Sequence, residues 1–382
     1  MKLIFFIVLT GLVLACAPGA MEPGASGGPA TEGDAKTRWE QTVASAKREG
    51  KVSVVTHTNL HYREMIQKFQ EKYPEIVVEH VAMRPSEFAP KVITEQQNGI
   101  FGYDVWTSST SNMVELVVPA GGFEKITPYL ILPEVTDPSN WRGNQLLYAT
   151  KEPYILLNRA RATGEVWVNR DTVSKSEFSN MDHLLDPKFK GKIMIRTPNA
   201  PHGGSLTQTG ILKNKGEDFI WKLMSDQQPV FIENARLATQ NLINGKYPIL
   251  LGEDGATVDQ CIQAGGCKNL EKVRQYRHVL GHGLGIVRQP PHPNAAAVFA
   301  NWFFGKEGQE ALKAGIIATI TPADEAHSIR KDVEPSSDAI SSGDVPDFDN
   351  LSKYSLQGME QGAEDMQKIL DIYRKIEAGG RR

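Results

Sequence analysis

The sequence is short of most features that mark a charged surface or a chemical catalyst. Its 42 Lys and Arg residues nearly balance 45 Asp and Glu, so a face for nucleic acid is not expected. Apolar residues run together at length only over positions 3–15. That run is shorter than the roughly 20 residues a helix needs to cross a bilayer, and no later segment is long and apolar enough. The Gly-x-Ser-x-Gly spacing occurs only at Gly24–Gly28, inside a Pro/Gly tract and not on a strand-to-helix elbow, and there is no His-Glu-x-x-His pair, so neither common hydrolase signature is present. Gly281-His282-Gly283-Leu284-Gly285 is not a dinucleotide fingerprint, because its third glycine falls one place early and no helix follows directly. Internal repeats are absent. What is present is the composition of a soluble globular protein, 40% hydrophobic and 23% charged, which excludes a disordered chain. Without its first 35 positions the chain is too long for one ordinary core and long enough for two lobes.

The N-terminus reads as an export signal. Lys2 opens a basic start, Leu3 to Leu9 is apolar, Thr10-Gly11 loosens the run, and Leu12-Val13-Leu14 resumes it before the small residue Ala15. Val13-Leu14-Ala15-Cys16 resembles the bacterial lipobox, and that resemblance implies an acylated Cys16 as the new N-terminus, with residues 1–16 the lipoprotein signal. Ordinary cleavage near Ala20, with Cys16 discarded, is the alternative; either way the chain is exported. Residues 17–35 form a Pro/Gly/Ser/Ala tract with nothing to bury, which predicts a flexible tether and favours the lipid anchor.

Cysteine is scarce, three in all, so after Cys16 only Cys261 and Cys267 remain. Export places them in an oxidising compartment, and Gly265-Gly266 allows the short loop between them to close as a disulfide. A metal site there would need more ligands than Asp259 supplies. His278 and His282 stand one helical turn apart, a zinc-like spacing, but Gly281, Gly283 and Gly285 argue against a helix and for a loop. The carboxylates from Glu325 to Glu334, Asp332 among them, read as a solvated polar tail. No cofactor and no metal are expected.

Periodicity predicts an α/β protein. A helix over 37–48 precedes the strand 52–56, a helix over 62–72 leads to the strand 76–81, and a helix over 85–98 leads to the strand 103–107. That alternation is the βαβ pattern of a mainly parallel sheet. Further strands are predicted at 166–169, 192–195, 248–251 and 284–287. Helices are predicted from Ser205, over 237–243, in one long piece from Pro293 to Lys313, and over 357–375.

Four stretches carry a family resemblance. They are Val54-Val55-Thr56 with its loop, helix and Tyr73-Pro74-Glu75; Tyr103-Asp104-Val105-Trp106 with the hydroxyl run 107–111; Leu185-Asp186-Pro187-Lys188-Phe189-Lys190-Gly191; and Pro291-His292-Pro293-Asn294 through Phe303-Phe304 to Glu310-Ala311. In this order the chain resembles bacterial extracellular solute-binding proteins, the capture subunits of ABC importers, most closely the ferric-iron and polyamine branch. The resemblance implies a two-lobed periplasmic-binding-protein fold of type 2 with hinge crossover strands, one of them near Arg161–Val168. Lobe 1 would comprise 36–160 and 276–325, and lobe 2 would comprise 161–275. Residues 326–382 would end in a helix packing across the lobes. It also implies a monomer that delivers a small molecule to an ABC permease without altering it. A ligand sensor for a membrane receptor, a ferric-iron binder and a secreted hydrolase are the alternatives.

Ligands in open α/β sheets bind where strands end and helices begin. Thr58, Asn59, Ser108 and Ser109 offer short donors and acceptors from lobe 1. Gly203-Gly204-Ser205 reads as an anion seat at a helix start, or else Ser205 is a plain cap. Arg236 suits a carboxylate or phosphonate, and Glu253-Asp254, directly after a buried strand, suit an amine or a metal ion unless they form only a turn. The ferric branch uses an adjacent tyrosine pair at that place, and no two tyrosines are adjacent here. Leu60 and Ser109 stand where its remaining ligands would be. A small polar organic solute, with zwitterions included, is therefore expected rather than iron.

Overall fold

The computed structural model describes residues 32–198, 203–252, 258, 261–262, 265–319, 327–335 and 356–380. The first lobe opens with helix α1 (Glu32–Glu49), which begins inside the stretch expected as tether. Strand β1 (Lys51–Thr56) follows, then α2 (His61–Lys72), β2 (Val77–Ala82), α3 (Pro85–Gln97), β3 (Val105–Ser109), the short β4 (Phe123–Glu124) and the single turn α4 (Pro133–Thr136). Tyr62, Met65 and Phe69 of α2 are fully buried, the three- and four-residue spacing of one helix face.

The long strand β5 (Ile155–Asn169) leaves this lobe. The second lobe contributes β6 (Ile193–Arg196), α5 (Gly203–Lys215), α6 (Glu217–Trp221), β7 (Val230–Ile232), α7 (Ala235–Ile243) and β8 (Ile249–Leu251). Strand β9 (Leu270–Val287) returns. Helices α8 (Pro293–Phe304) and α9 (Lys306–Thr319), the short β10 (His327–Ser328) and α10 (Leu356–Glu377) complete the described chain. None of the described helices is long and apolar enough to cross a membrane.

The sheet runs β2-β1-β3-β9-β5-β8-β6-β7, with β10 on β5 and β4 on β9. β1 is parallel to β2 and β3, and β6 is parallel to β7 and β8, while β5 and β9 pair antiparallel along their length. One end of this central pair belongs to each lobe. Leu156, Leu157, Leu284 and Ile286 join a core with Val54, Phe69 and Trp106. Val166, Val168 and Val273 join a second core with Phe178 and Ile220, and Trp167 and Leu270 join a third on the opposite sheet face. The predicted crossover at Arg161–Val168 falls inside β5. The ladder slips at Leu157/Arg159, still within the first core, and again at Thr163/Glu165, between the cores, so the two strands form hinge crossovers interrupted by bulges.

Two of the resemblance motifs serve the fold. Asp104 is fully buried; its carboxylate accepts Ser53 N–H (2.7 Å), His292 N–H (2.7 Å) and His292 Nδ1 (2.9 Å). Glu49 accepts the N–H groups of Asn294 (3.2 Å) and Ala295 (2.7 Å), capping α8. The Tyr103-Asp104 and Pro291-His292-Pro293-Asn294 stretches thus fasten α8 to the sheet. Burial pushes the Asp104 carboxyl up, against the pull of the Ser53 and His292 hydrogen bonds.

Several expectations need correction. The single helix to Lys313 is two, parted at Gly305, whose N–H still bonds the Asn301 carbonyl while Glu134 accepts Lys306 N–H (2.7 Å) to start the next. His278 and His282 lie in strand β9, not in a loop. Glycine fits there because a Cβ at Gly283 would meet the Leu156 carbonyl oxygen at 2.7 Å. Asp332 is not a solvated tail residue, since it accepts both Nε and Nη2 of the buried Arg330 (2.8 Å each). Helix α10, expected across the lobes, places Ile369, Ile372 and Tyr373 in the second lobe's core.

Candidate functional site

On the first lobe the ends of β1 and β3 meet the crossover strands. After β1, Thr58 is exposed and its hydroxyl lies 3.3 Å from His57 Nδ1. Asn59 is half-buried and its carbonyl accepts Tyr62 N–H (3.4 Å). Gly315 of α9 seats the start of α2: a Cβ there would come within 2.5 Å of the His61 carbonyl oxygen. Ser108 and Ser109, expected to act together, point to opposite faces of the strand. Ser108 sits opposite Gly283 and is buried with no partner for its hydroxyl among the described residues; Ser109 sits opposite His282 and is half-buried.

The Ser109 side of β3 leads to residues the sequence reading missed. Ser109 pairs in register with His282, His282 with Arg159, and Arg159 with Ser328, a row across four strands. Arg159 is 4% exposed. Its Nη2 donates to the Tyr62 hydroxyl (2.7 Å) and approaches His282 Nδ1 (3.4 Å), and its guanidinium lies 5.5 Å from the Tyr62 ring centroid. His61 beside it is 2% exposed, with no hydrogen-bond partner for either ring nitrogen among the described residues. Burial, then Arg159 and His57, drive its pKa down to about 2, so this imidazole stays neutral. His80 is pushed down too, by burial and then Arg63, and bonds the Thr56 hydroxyl at 2.8 Å. The available signal for Arg159 was its charge inside the apolar strand Ile155-Leu156-Leu157-Asn158-Arg159-Ala160.

On the second lobe α5 starts at Gly203, so Gly203, Gly204 and Ser205 form its first turn, and the helix packs against both crossover strands. Thr207 of α5 reaches the Glu165 carbonyl of β5 (3.5 Å). Arg236 is exposed in the first turn of α7, where Asn234 caps Leu237 N–H (2.9 Å). Glu253 and Asp254 lie outside the described residues, as does Cys16. Cys261 and Cys267 are joined, with S–S 2.02 Å. Among the described residues no group of three or more His, Cys, Asp or Glu could hold a metal ion.

The hinge carries its own polar clasp. Tyr276 adopts φ 50°, a left-handed conformation that non-glycine residues seldom take. Its hydroxyl donates to Asp182 (2.8 Å), which also pairs with Lys215 (2.8 Å), and Gln275 accepts Met181 N–H (2.7 Å).

With the geometry in view, the comparisons are direct. The family model described as bacterial extracellular solute-binding protein matches residues 64–341, more than half of the chain, and the chain belongs to that family. It is a family of exported binding proteins, not enzymes, that take small-molecule ligands to ABC permeases. Iron-bound HitA from Pseudomonas aeruginosa is similar in structure, with TM-score 0.60, 15% identity, 84% of this chain covered and 99% of that one. AfuA from Actinobacillus pleuropneumoniae with fructose-6-phosphate bound gives TM-score 0.61 at 17% identity, covering 85% and 99%. The ferric binding protein from Campylobacter jejuni gives 0.60 at 17%, also covering 85% and 99%. At such identities these likenesses show the two-lobed fold alone. A search of curated proteins gives no match.

Proposed function

We propose that this protein is the lipid-tethered capture subunit of an ABC importer, a monomer that closes two lobes over a small polar or charged solute and presents the closed form to its permease. One observation carries the reading: two separately cored lobes are joined by a strand pair whose ladder is broken by a bulge between the cores. Such a link is stiff against shear and soft to bending, which suits hinge closure. Ligand contacts from both lobes then favour the closed population.

In this reading lobe 1 is 36–160 with 276–325, and lobe 2 is 161–275. The cleft is lined by Thr58, Asn59 and Ser109 on one side and by the first turn of α5 on the other. Arg236, Glu253 and Asp254 are further candidates on the second lobe, and Ser108 backs the first. Residues 1–16 are the signal, Cys16 carries the lipid, and the tract after it is the leash.

The test is small-angle scattering of the processed protein across a solute panel of phosphates, carboxylates, amino acids, polyamines and ferric iron. A true ligand should shrink the radius of gyration and raise the melting temperature with concentration. A single rigid particle under every condition sinks the capture reading. Metabolic labelling with palmitate should mark the wild type and not Cys16→Ser.

A further inference from the structure

The strand directions decide what faces the cleft. β1 is parallel to β3, β3 is antiparallel to β9, and β9 is antiparallel to β5, so β1 runs with β5 and ends toward the second lobe. β8 is antiparallel to β5 and parallel to β6, which is parallel to β7, so β7 ends back toward the first lobe. The chain sets a leucine just past each of these ends, Leu60 before α2 and Leu237 in the first turn of α7. Leu60 is 56% exposed, more than any other large apolar side chain among the described residues, and Leu237 is 52% exposed.

A single exposed leucine is ordinary on a soluble protein. These two also go against local preference. Leu60 holds the N-cap position of α2, where Ser, Thr, Asp or Asn would bond a free N–H, and it supplies no side-chain cap. Leu237 stands in a first turn without an acidic residue, the kind that the positive end of a helix favours. Neither choice serves the helix or the core, and departure from local preference without a packing return marks a functional position. Polar side chains adjoin both: Thr58 and Asn59 precede Leu60, and the exposed Arg236 precedes Leu237. Each lobe thus offers the cleft an apolar surface beside a polar one.

Resting on the capture reading above, we infer that the captured solute is amphiphilic, a polar head bearing a compact aliphatic or aromatic group that Leu60 and Leu237 cover from the two lobes on closure. The polar neighbours meet the head, and the leucines select for the apolar group. Covering leucine surface that water now meets favours the closed form with such a solute over the closed form with a bare ion.

Calorimetric titration with small-angle scattering of the processed protein tests this, using probes paired by head. The pairs are inorganic phosphate with phenyl phosphate, acetate with phenylacetate, glycine with phenylalanine, and methylamine with phenethylamine; ferric iron is the bare-ion comparator. In the head class that binds, the apolar member should bind about tenfold tighter or more. Leu60→Ser and Leu237→Ser should each weaken that member about fivefold to tenfold and leave its bare partner within about twofold. Leu60→Ser should melt, without ligand, at or above the wild-type temperature, because serine is the better cap, so its loss of affinity is not a loss of fold. Should one variant fail to fold, the other decides. Equal affinity for both members of the binding pair, or wild-type affinity for the apolar member in the folded variants, overturns the inference and leaves capture standing. Closure on ferric iron and on none of the pairs does the same. Absence of binding and of compaction with every probe overturns the capture reading and this inference with it.

Discussion

The first lobe gathers one continuous core, from Ala46 to Ile329, around strands of five and six residues, whereas the second divides its apolar residues over two faces of strands of three and four. Their polar fastenings differ in the same direction. The first lobe ties β1, β3 and α8 through one buried carboxylate, Asp104, while the second ties β5 to α7 through a neutral amide, Asn169. Asn169 donates to the Leu242 and Ile243 carbonyls (2.9 and 3.1 Å) and accepts Asp171 N–H (2.9 Å). Charge-assisted bonds in a dry core are the stronger fastening but cost more when halved. In the proposed closure the first lobe is therefore expected to be the fixed platform and the second the more compliant jaw.

Asp104→Ala gives the largest expected effect. It strands the Ser53 and His292 N–H groups and should cost about 3–5 kcal/mol, melting the first lobe well before the second. Differential scanning calorimetry should resolve this as an early transition. Asn169→Ala should cost about 1–3 kcal/mol, because neutral carbonyls and one N–H lose their partner. Should Asn169→Ala destabilise more than Asp104→Ala, the platform-and-jaw contrast is wrong.

Those same residues show how far the sequence could be read. Asp104 and His292 stood out in motifs, and with the βαβ alternation they led to the two-lobed fold. Their role in joining β1, β3 and α8 was not visible, because it depends on contacts between residues 188 positions apart. Gly281, Gly283 and Gly285 misled, since glycine punctuates local patterns but also marks where strands press close, and only the partner strand distinguishes the two. Gly305 passed as helix interior because no proline or polar cluster announced the break. The site suffered most. Strand ends follow from the fold class, but Ser108 and Ser109 could not be told apart until β3 had a register. Arg159 looked like one charge in an apolar run, and its contacts with Tyr62 and His282 come from two other elements far along the chain.

The smallest expected effect sharpens the comparison at the joint between the lobes. Tyr276 belongs to the crossover strand yet is clasped to the second lobe by Asp182 and Lys215, so the bulge moves with the jaw. Tyr276→Phe removes one exposed hydrogen bond, worth about 1 kcal/mol or less, and should barely shift the melting temperature. It should instead redistribute open and closed forms, read as a change in radius of gyration of the unliganded protein. Acid should do the same to wild type. Lys215 first, and Tyr276 second, hold the Asp182 carboxyl below its ordinary value, so the clasp is present above that value and is lost as pH falls through the lowered one. Asp104 titrates in the opposite sense: burial raises it above its ordinary value, so acid relieves a buried charge there but also removes the charge that strengthens its Ser53 and His292 bonds. Acidification below the ordinary aspartate range should thus loosen the hinge clasp. Tyr276→Phe should blunt the acid response, and a wild-type radius unchanged from neutral pH to pH ~3 would show that the clasp does not set the angle between the lobes.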